Sequence, residues 1–194
     1  MEEKFKQKPG NIVKIVLFGP ESTGKTTLAK SLAAHFNTKW VPEYMRAYLE
    51  AKWNTKKELC TKEDLPIIAE GQMKEENQLT LHANKVLFCD TNLLEIKVYS
   101  EAYYNGYCDP KIEKYALENN YELYFLTYID VPWEEDVLRD KPNEREAMFK
   151  RFKNALDTYN KPYFVLKGNL ETRLKQAINQ VEKILKNDRP YGSR

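Results

Sequence analysis

The residues best suited to chemistry form one short run with two glycines, a lysine and a threonine. Their spacing, Gly19-x-x-x-x-Gly24-Lys25-Thr26, is the phosphate-binding pattern in which backbone N–H groups and a helix N-terminus cradle phosphates. In such loops the lysine reaches the β- and γ-phosphates and the hydroxyl residue holds Mg²⁺. The pattern therefore predicts an ATP site with Mg²⁺, and the residues expected to contact the nucleotide are Gly19, Glu21, Ser22, Thr23, Gly24, Lys25, Thr26 and Thr27.

One acidic residue, Asp90, ends an apolar run that begins at Val86. A carboxylate at the end of a buried strand can lie beside a phosphate loop, where it holds Mg²⁺ or accepts the proton of a substrate hydroxyl. We therefore predict Thr26 and Asp90 as metal ligands, and Lys25 and Asp90 as catalytic residues. The plainer alternative is that Asp90 only caps the next helix.

A second polar group, Glu43-Tyr44-x-Arg46, follows a short apolar stretch. Its carboxylate could hold a ribose diol or take a proton from a hydroxyl, its ring could stack on a base, and its arginine could pair with phosphate. We predict all three as substrate-binding residues and Glu43 as a catalytic one, with the choice of base between Glu43 and Asp90 left open. Alternatively, Tyr44 packs in the core and Glu43 pairs with Arg46 on the surface.

Two arginines flank a proline in the segment from about 133 to 151. Pro142 breaks the helical pattern between Arg139 and Arg145. A hinge at this position would let a lid close over the phosphate loop. Arginines that close over a transferring phosphoryl group stabilise its charge. We therefore predict a helical lid at 133–151 with Arg139 and Arg145 as catalytic residues; a solvated, charge-laced helix pair is the alternative.

The elements that must position these residues alternate between strand and helix, which predicts a mostly parallel sheet covered on both faces. All the polar groups named above follow predicted strands or lie over that edge of the sheet. We predict one α/β domain over residues 1–194, a three-layer α/β/α P-loop fold of the nucleoside-kinase type. Its predicted strands are 12–18, 39–42, 85–90, 122–129 and 163–166, and its predicted helices are 27–36, 44–53, 62–83, 93–105, 111–118, 133–140, 144–159 and 170–187.

Composition excludes several classes of partner. The chain has 194 residues, 31 Lys+Arg and 29 Asp+Glu, so its formal charge of +2 gives no global attraction to nucleic acid. No apolar run approaches the ~18 residues of a membrane span, and residues 1–6 lack the apolar core of a signal peptide. Three widely spaced cysteines fit a reducing compartment. We expect a cytoplasmic protein without nucleic-acid or membrane partners; its oligomeric state stays open.

Two classes of P-loop protein are disfavoured. A GTPase switch would need Asp-x-x-Gly, whereas the chain has Asp90-Thr91-Asn92-Leu93, and the run Asn160-Lys161-Pro162-Tyr163 lacks the aspartate that reads guanine. A motor or AAA-type ATPase would normally need a second helical domain, for which no residues remain. A small-molecule kinase is the class that the residues favour.

Longer motifs resemble one family. They are similar to the nicotinamide riboside (ribosylnicotinamide) kinase domain of the bacterial multifunctional regulators of NAD synthesis, within the P-loop kinase superfamily. The resemblance covers about residues 12–180. Its motifs are Gly19–Ala29, Trp40–Glu50, Glu63–Gln72, Asp90–Leu94, Asp130–Asp140 and Arg145–Phe149.

The resemblance implies that the γ-phosphoryl group of ATP is transferred to the 5′-hydroxyl of nicotinamide riboside, giving nicotinamide mononucleotide, with Mg²⁺ as cofactor. The pyridinium ring of that substrate is cationic and would suit aromatic rings and carboxylates. Gly168 and Arg173 resemble a loop that flanks the adenine of ATP in small kinases. The candidate aromatic residues are Trp40, Tyr44, Tyr99, Tyr103 and Trp133, of which Trp133 joins the predicted substrate-binding residues.

One residue departs from the family pattern, which would have Asp-Thr-Asp where this chain has Asn92 in the last place. We count Asn92 among the substrate-binding residues, but it leaves the acceptor open. The alternatives are a kinase for another nucleoside or small metabolite, or a sensor that binds ATP and a pyridine nucleotide without turnover. The larger relatives add a helix-turn-helix and an adenylyltransferase domain, and the eleven residues before the first strand and the lack of His-x-Gly-His predict that both are absent.

Overall fold

The computed structural model describes residues 2–134 and 144–187. Its centre is a parallel sheet of five strands, β1 to β5, in the order β2-β3-β1-β4-β5. The strands are β1 Val13–Phe18, β2 Trp40–Val41, β3 Val86–Asp90, β4 Leu123–Thr127 and β5 Tyr163–Leu166. The helices are α1 Lys25–His35, α2 Tyr44–Lys56, α3 Leu65–Thr80, α4 Leu93–Tyr103, α5 Pro110–Glu118, α6 Arg145–Thr158 and α7 Leu170–Asn187, with 3₁₀ turns at Glu2–Phe5 and Lys62–Asp64.

Strand β1 lies at the centre because all six of its residues are buried, as its continuous apolar run predicts. It pairs with β3 on one side and β4 on the other, with Leu17 opposite both Asp90 and Phe125. The carboxyl ends of these three strands therefore meet at one edge of the sheet. The loop that follows β1 and the acid that ends β3 are neighbours for this reason.

Alternate residues of β1 point into two separate cores. Val16 and Phe18 belong to one core, which α3, α4 and α6 cover, whereas Ile15 and Leu17 belong to another, which α1 and α7 cover. Helices therefore cover both faces of the sheet. The predicted three-layer α/β/α fold is confirmed.

Most strand and helix boundaries lie within a few residues of the predicted ones, but the first three residues of the helix predicted at 62–83 form a 3₁₀ turn. Thr61 and Asp64 do make the expected capping box, yet it opens a 3₁₀ turn, and α3 begins only at Leu65. Pro66 follows directly, because the first turn of a helix tolerates a residue without an N–H group. The helix predicted at 133–140 falls almost entirely outside the described residues.

At the opposite end of the sheet from the phosphate loop, a buried polar network crosses the core. The Lys14 ammonium pairs with Glu76 Oε1 at 3.0 Å, and Gln7 Nε2 donates to the same oxygen at 2.9 Å. Tyr121 donates its hydroxyl to Glu76 Oε2 at 2.7 Å. Both carboxylate oxygens are thus satisfied, so the network is structural.

None of the described helices is both long and apolar enough to cross a membrane.

Candidate active site

The loop between β1 and α1 has the backbone that its glycines predict. Gly19 has a φ of 138°, and a Cβ there would lie 2.7 Å from Thr127 Oγ1, so no other residue fits without displacing β4. Gly24 caps α1 in the left-handed region with a φ of 79°. Thr23 Oγ1 donates to Pro20 O at 2.8 Å, which folds the loop back on itself. The N-terminus of α1 therefore faces the space above the sheet edge, where an anion is favoured.

Lys25 points back into this loop. Its ammonium donates to Gly19 O at 2.7 Å and Pro20 O at 3.0 Å, and lies 3.2 Å from Glu95 Oε1. Burial lowers the pKa of Lys25, but the nearby carboxylates Glu95, Glu43 and Asp90 outweigh that effect and raise it. The lysine is therefore a permanent cation at neutral pH.

Thr26 and Asp90 are brought together as predicted. Thr26 Oγ1 lies 2.5 Å from Asp90 Oδ2, and Asp90 Oδ1 is buried with no hydrogen-bond partner among the described residues. Burial raises the pKa of Asp90, although Lys25 and Thr26 act in the opposite direction. Asp90 does not cap the next helix, since Asn92 Oδ1 accepts the cap hydrogen bond from Glu95 N at 3.2 Å.

This pair of oxygen ligands fits Mg²⁺. Hydroxyl and carboxylate oxygens are the ligands that Mg²⁺ prefers, and the orphaned Asp90 Oδ1 has a lone pair to offer. No group of three or more His, Cys, Asp or Glu side chains in the described part of the chain could hold a metal ion. Any Mg²⁺ at this place would take its remaining ligands from phosphate oxygens and water.

One pocket of about 580 Å³ joins the phosphate loop to the start of α2. Glu43 and Arg46 lie on its wall, as does Tyr99 from α4. Arg46 Nε donates to Glu50 Oε1 at 2.5 Å, which holds that guanidinium beside the pocket. The full lining is Glu21, Ser22, Thr23, Gly24, Lys25, Thr26, Thr27, Leu28, Glu43, Met45, Arg46, Leu49, Tyr99, Val131, Pro132, Glu134, Leu170 and Arg173.

Arg173 also lines this pocket, but its guanidinium is held by the protein itself. It is 3% exposed, donates to Thr23 O at 2.6 Å and Tyr128 O at 2.8 Å, and forms an ion pair with Asp130. Gly168 N donates to Asp130 Oδ2 at 2.7 Å. Arg173 therefore ties the phosphate loop to the segment after β4, and Gly168 ties the segment after β5 to Asp130. Of these two predicted adenine-side residues, only Arg173 lines the pocket.

Of the two predicted lid arginines, Arg139 lies outside the described residues. Arg145, the first residue of α6, donates to Val131 O at 3.0 Å and to Ser22 O at 3.3 Å in the phosphate loop. Its guanidinium lies 5.7 Å from the centre of the Trp133 ring. Trp133 and Tyr103 line a second, water-sized cavity of about 10 Å³ with Arg145, rather than the main pocket.

Two predicted substrate-binding residues, Tyr44 and Asn92, and the candidate aromatic residue Trp40 do not line the main pocket. The ring of Tyr44 packs on Gly71, where an added Cβ would lie 2.2 Å from it, so the plainer reading of Tyr44 as core packing holds. Asn92 is buried and donates to Tyr124 Oη at 3.1 Å, because it serves as a helix cap and a core contact. Trp40 lies under Lys30, 5.4 Å from its ammonium, on the α1 side of the sheet and off the pocket wall.

Sequence reasoning missed Glu95, whose carboxylate is 1% exposed and faces Lys25. Burial raises its pKa to about 8 despite the opposing effect of Lys25, and Glu43 and Asp90 add to the rise. The sequence around Glu95 does carry a signal, but that signal has a structural explanation. An acid three residues after Asn92 reads as part of a capping box, which needs no further role.

Comparison with known proteins agrees with this geometry. A family model described as an AAA domain matches residues 14–173. The chain belongs to this family. The family description names a domain and not an activity. It therefore does not decide between an AAA-type motor and a small-molecule kinase.

Among curated proteins, this AAA-domain chain is 30% identical over 149 residues to the trifunctional NAD biosynthesis/regulator protein NadR of Escherichia coli (strain K12) and to that of Salmonella typhimurium (strain LT2). The match covers 77% of this chain but only 36% of each relative, so the chain spans about a third of their length. The resemblance that the motifs predict is confirmed.

Solved structures extend the likeness in fold. A crystal structure of NadR in complex with NR has a TM-score of 0.77 at 22% identity, covering 89% of this chain and 50% of that one. Deoxyadenosine kinase from M. mycoides, with products dCMP and dCDP bound, has a TM-score of 0.66 at 15% identity, covering 88% and 100%. The AAA-domain chain therefore has a P-loop kinase fold of the nucleoside and thymidylate kinase type.

Proposed function

We propose that this chain transfers the γ-phosphoryl group of ATP to the 5′-hydroxyl of nicotinamide riboside, giving nicotinamide mononucleotide. The observation that carries the proposal is a pocket of about 580 Å³ whose wall includes both the phosphate loop and Glu43. A donor and an acceptor bound there would meet beside Lys25. The relatives support the choice of acceptor, since NadR binds NR.

On the donor side, the loop amides and Lys25 would hold the phosphates, and Thr26 and Asp90 would hold Mg²⁺. When bound, Mg²⁺ neutralises charge that develops on the transferring phosphoryl group. Arg145 is near enough to help, because it contacts Ser22 O of the loop at 3.3 Å. We include Arg139 as a second such arginine on the strength of its position in the sequence.

On the acceptor side, the two candidate bases differ in access. Glu43 lies on the pocket wall, whereas Asp90 is fully buried behind Thr26 and already accepts that hydroxyl. We therefore assign the orientation of the 5′-hydroxyl, and acceptance of its proton, to Glu43. Asp90 keeps the role of metal ligand.

The charge of the site favours a cationic acceptor. Three carboxylates, Glu43, Asp90 and Glu95, act electrostatically on the single ammonium of Lys25. Once that ammonium is engaged with phosphates, Glu43 on the pocket wall is left to face the acceptor. A positively charged pyridinium nucleoside suits this carboxylate better than a neutral nucleoside of the same size.

The deciding experiment is a coupled ADP-release assay with Mg²⁺ and ATP, comparing nicotinamide riboside with a panel of ordinary nucleosides. We expect turnover of the riboside and loss of nearly all of it in Lys25→Ala. Turnover of another nucleoside but not of the riboside would contradict the substrate assignment. Tight binding of both ligands without any ADP release would instead indicate a sensor.

A further inference from the structure

The carboxylate of Glu95 is the least explained group of the site. It is buried in the first turn of α4, and apart from the Lys25 ammonium neither oxygen has a hydrogen-bond donor within the described ranges. A buried carboxylate without donors is unfavourable, because it has lost its water and gained little in return. Its ion pair with Lys25, at 3.2 Å, is what compensates for this loss.

Lys25 cannot keep that ion pair and also serve a triphosphate. In this structure its ammonium is directed at Gly19 O, Pro20 O and Glu95, which uses its three donors. A phosphate-loop lysine must instead extend to the β- and γ-phosphates. Binding a triphosphate therefore draws Lys25 away from Glu95 and removes the cation that compensates for the burial of this carboxyl group.

A donor from the acceptor could relieve this loss. Tyr99, one helical turn after Glu95 on the same face of α4, lines the main pocket, and its hydroxyl is buried without a partner in the described structure. Once Lys25 has turned towards the phosphates, a sugar hydroxyl could take its place, donating to the carboxyl group of Glu95 and accepting from the phenol of Tyr99. This step rests on the proposed function, because it needs an acceptor that carries hydroxyl groups.

We propose that Glu95 couples the two substrates of this site. While the acceptor is absent, Glu95 holds Lys25 and opposes binding of the triphosphate. Once the acceptor is present, its hydroxyl replaces Lys25 as the partner of Glu95, with Tyr99 completing the contact. Each substrate then strengthens the binding of the other by the same factor, since coupling between two ligands is reciprocal. Glu95 is thus a positioning residue that acts through Lys25.

The first test uses nucleotides alone. Glu95→Gln keeps the shape but removes the charge, so the non-hydrolysable triphosphate AMP-PNP should bind about tenfold tighter than it does to the wild type. AMP should bind both equally, because it lacks the phosphates that Lys25 reaches; a merely structural role would shift both ligands. Glu118→Gln, an exposed acid at the end of α5, is the control and should shift neither. Unchanged or weaker AMP-PNP binding by a folded Glu95→Gln variant would overturn the inference.

The second test adds the acceptor. Saturating nicotinamide riboside should raise the affinity of the wild type for AMP-PNP about fivefold or more, and this gain should shrink in Glu95→Gln and in Tyr99→Phe. If the wild type phosphorylates the riboside but shows no such gain, the coupling is refuted and the proposed function stands. If the wild type neither binds nor phosphorylates the riboside, the proposed function fails, and the AMP-PNP and AMP measurements still decide whether Glu95 holds Lys25 back.

Discussion

Two acidic residues of the site differ in access, and this difference separates their expected roles. Glu43 faces the pocket, so Glu43→Gln should lower kcat for the riboside about 100-fold or more, as loss of a general base does. Asp90→Asn should instead raise the Mg²⁺ concentration needed for half-maximal ADP release, because Asp90 is buried against Thr26. Measuring ADP release over a Mg²⁺ series distinguishes them. The reverse pattern would make Asp90 the base.

At the same scale, the sequence predicted the residues whose chemistry depends on local spacing. Gly24, Lys25 and Thr26 are fixed by a pattern of eight residues, and Asp90 by its place after an apolar run. Tyr99 was already a candidate aromatic residue, but Glu95 could not be found this way, because its role depends on where α4 places it relative to Lys25. That distance is a property of the folded chain and leaves no signature in the neighbouring sequence.

The side chain of Arg173, which the sequence suggested for the adenine side of the ATP site, joins several elements around the pocket. Arg173 of α7 holds the carbonyl oxygens of Thr23 and Tyr128 and the carboxylate of Asp130. Arg173→Met should lower the free energy of unfolding by about 3 kcal/mol, since it leaves these acceptors without their donor. Urea unfolding measures the change. Arg151→Met, on an exposed face of α6, is the control and should change stability little.

The ion pair between Arg173 and Asp130 should make a pH-dependent contribution to the stability of the protein. Burial raises the pKa of Asp130, but the Gly168 N–H group and Arg173 outweigh this effect and lower it. A carboxyl whose pKa is lower in the folded state stabilises the protein above its unfolded pKa of about 3.9 and loses that effect as the pH falls through its folded pKa. Asp130→Asn should therefore lower the Tm at pH 7, with the difference shrinking below about pH 4. A difference that stays constant from pH 7 to pH 3 would contradict this assignment.

The bounds of a strand or helix were predictable where its hydrophobic pattern and the turn residues that flank it agree. The strand β5, Tyr163–Leu166, has the predicted bounds, because proline and glycine signals flank a short apolar run. The start of α3 was not predictable to the residue, because a capping box at Thr61 can open a 3₁₀ turn as readily as an α-helix. The sequence left Tyr44 open between substrate binding and core packing, because its contact with Gly71 joins two helices and single-sequence patterns carry no information on such contacts.

At the scale of the whole molecule, stability should depend on the buried network far from the site. Lys14→Met would leave Glu76 buried with a charge and no cation, which should cost about 3–5 kcal/mol of unfolding free energy. The double variant Lys14→Met/Glu76→Leu should recover much of that loss, because it removes both charges together. A double-mutant cycle in urea tests this, and ADP release should persist in any variant that remains folded. Additive losses would mean that the two residues act independently.

The strand order has a consequence for how the protein is made. Strand β1 pairs with β3 and β4 but not with β2, so the first strand synthesised has no hydrogen-bonding neighbour until residues 86–90 have emerged from the ribosome. Its second neighbour follows only with residues 123–127. Until then a strand with five apolar residues out of six exposes both edges, which is the state in which nascent chains associate wrongly. A nascent chain stalled before β3 would therefore carry the complete phosphate-binding motif and still have no sheet on which to hold it.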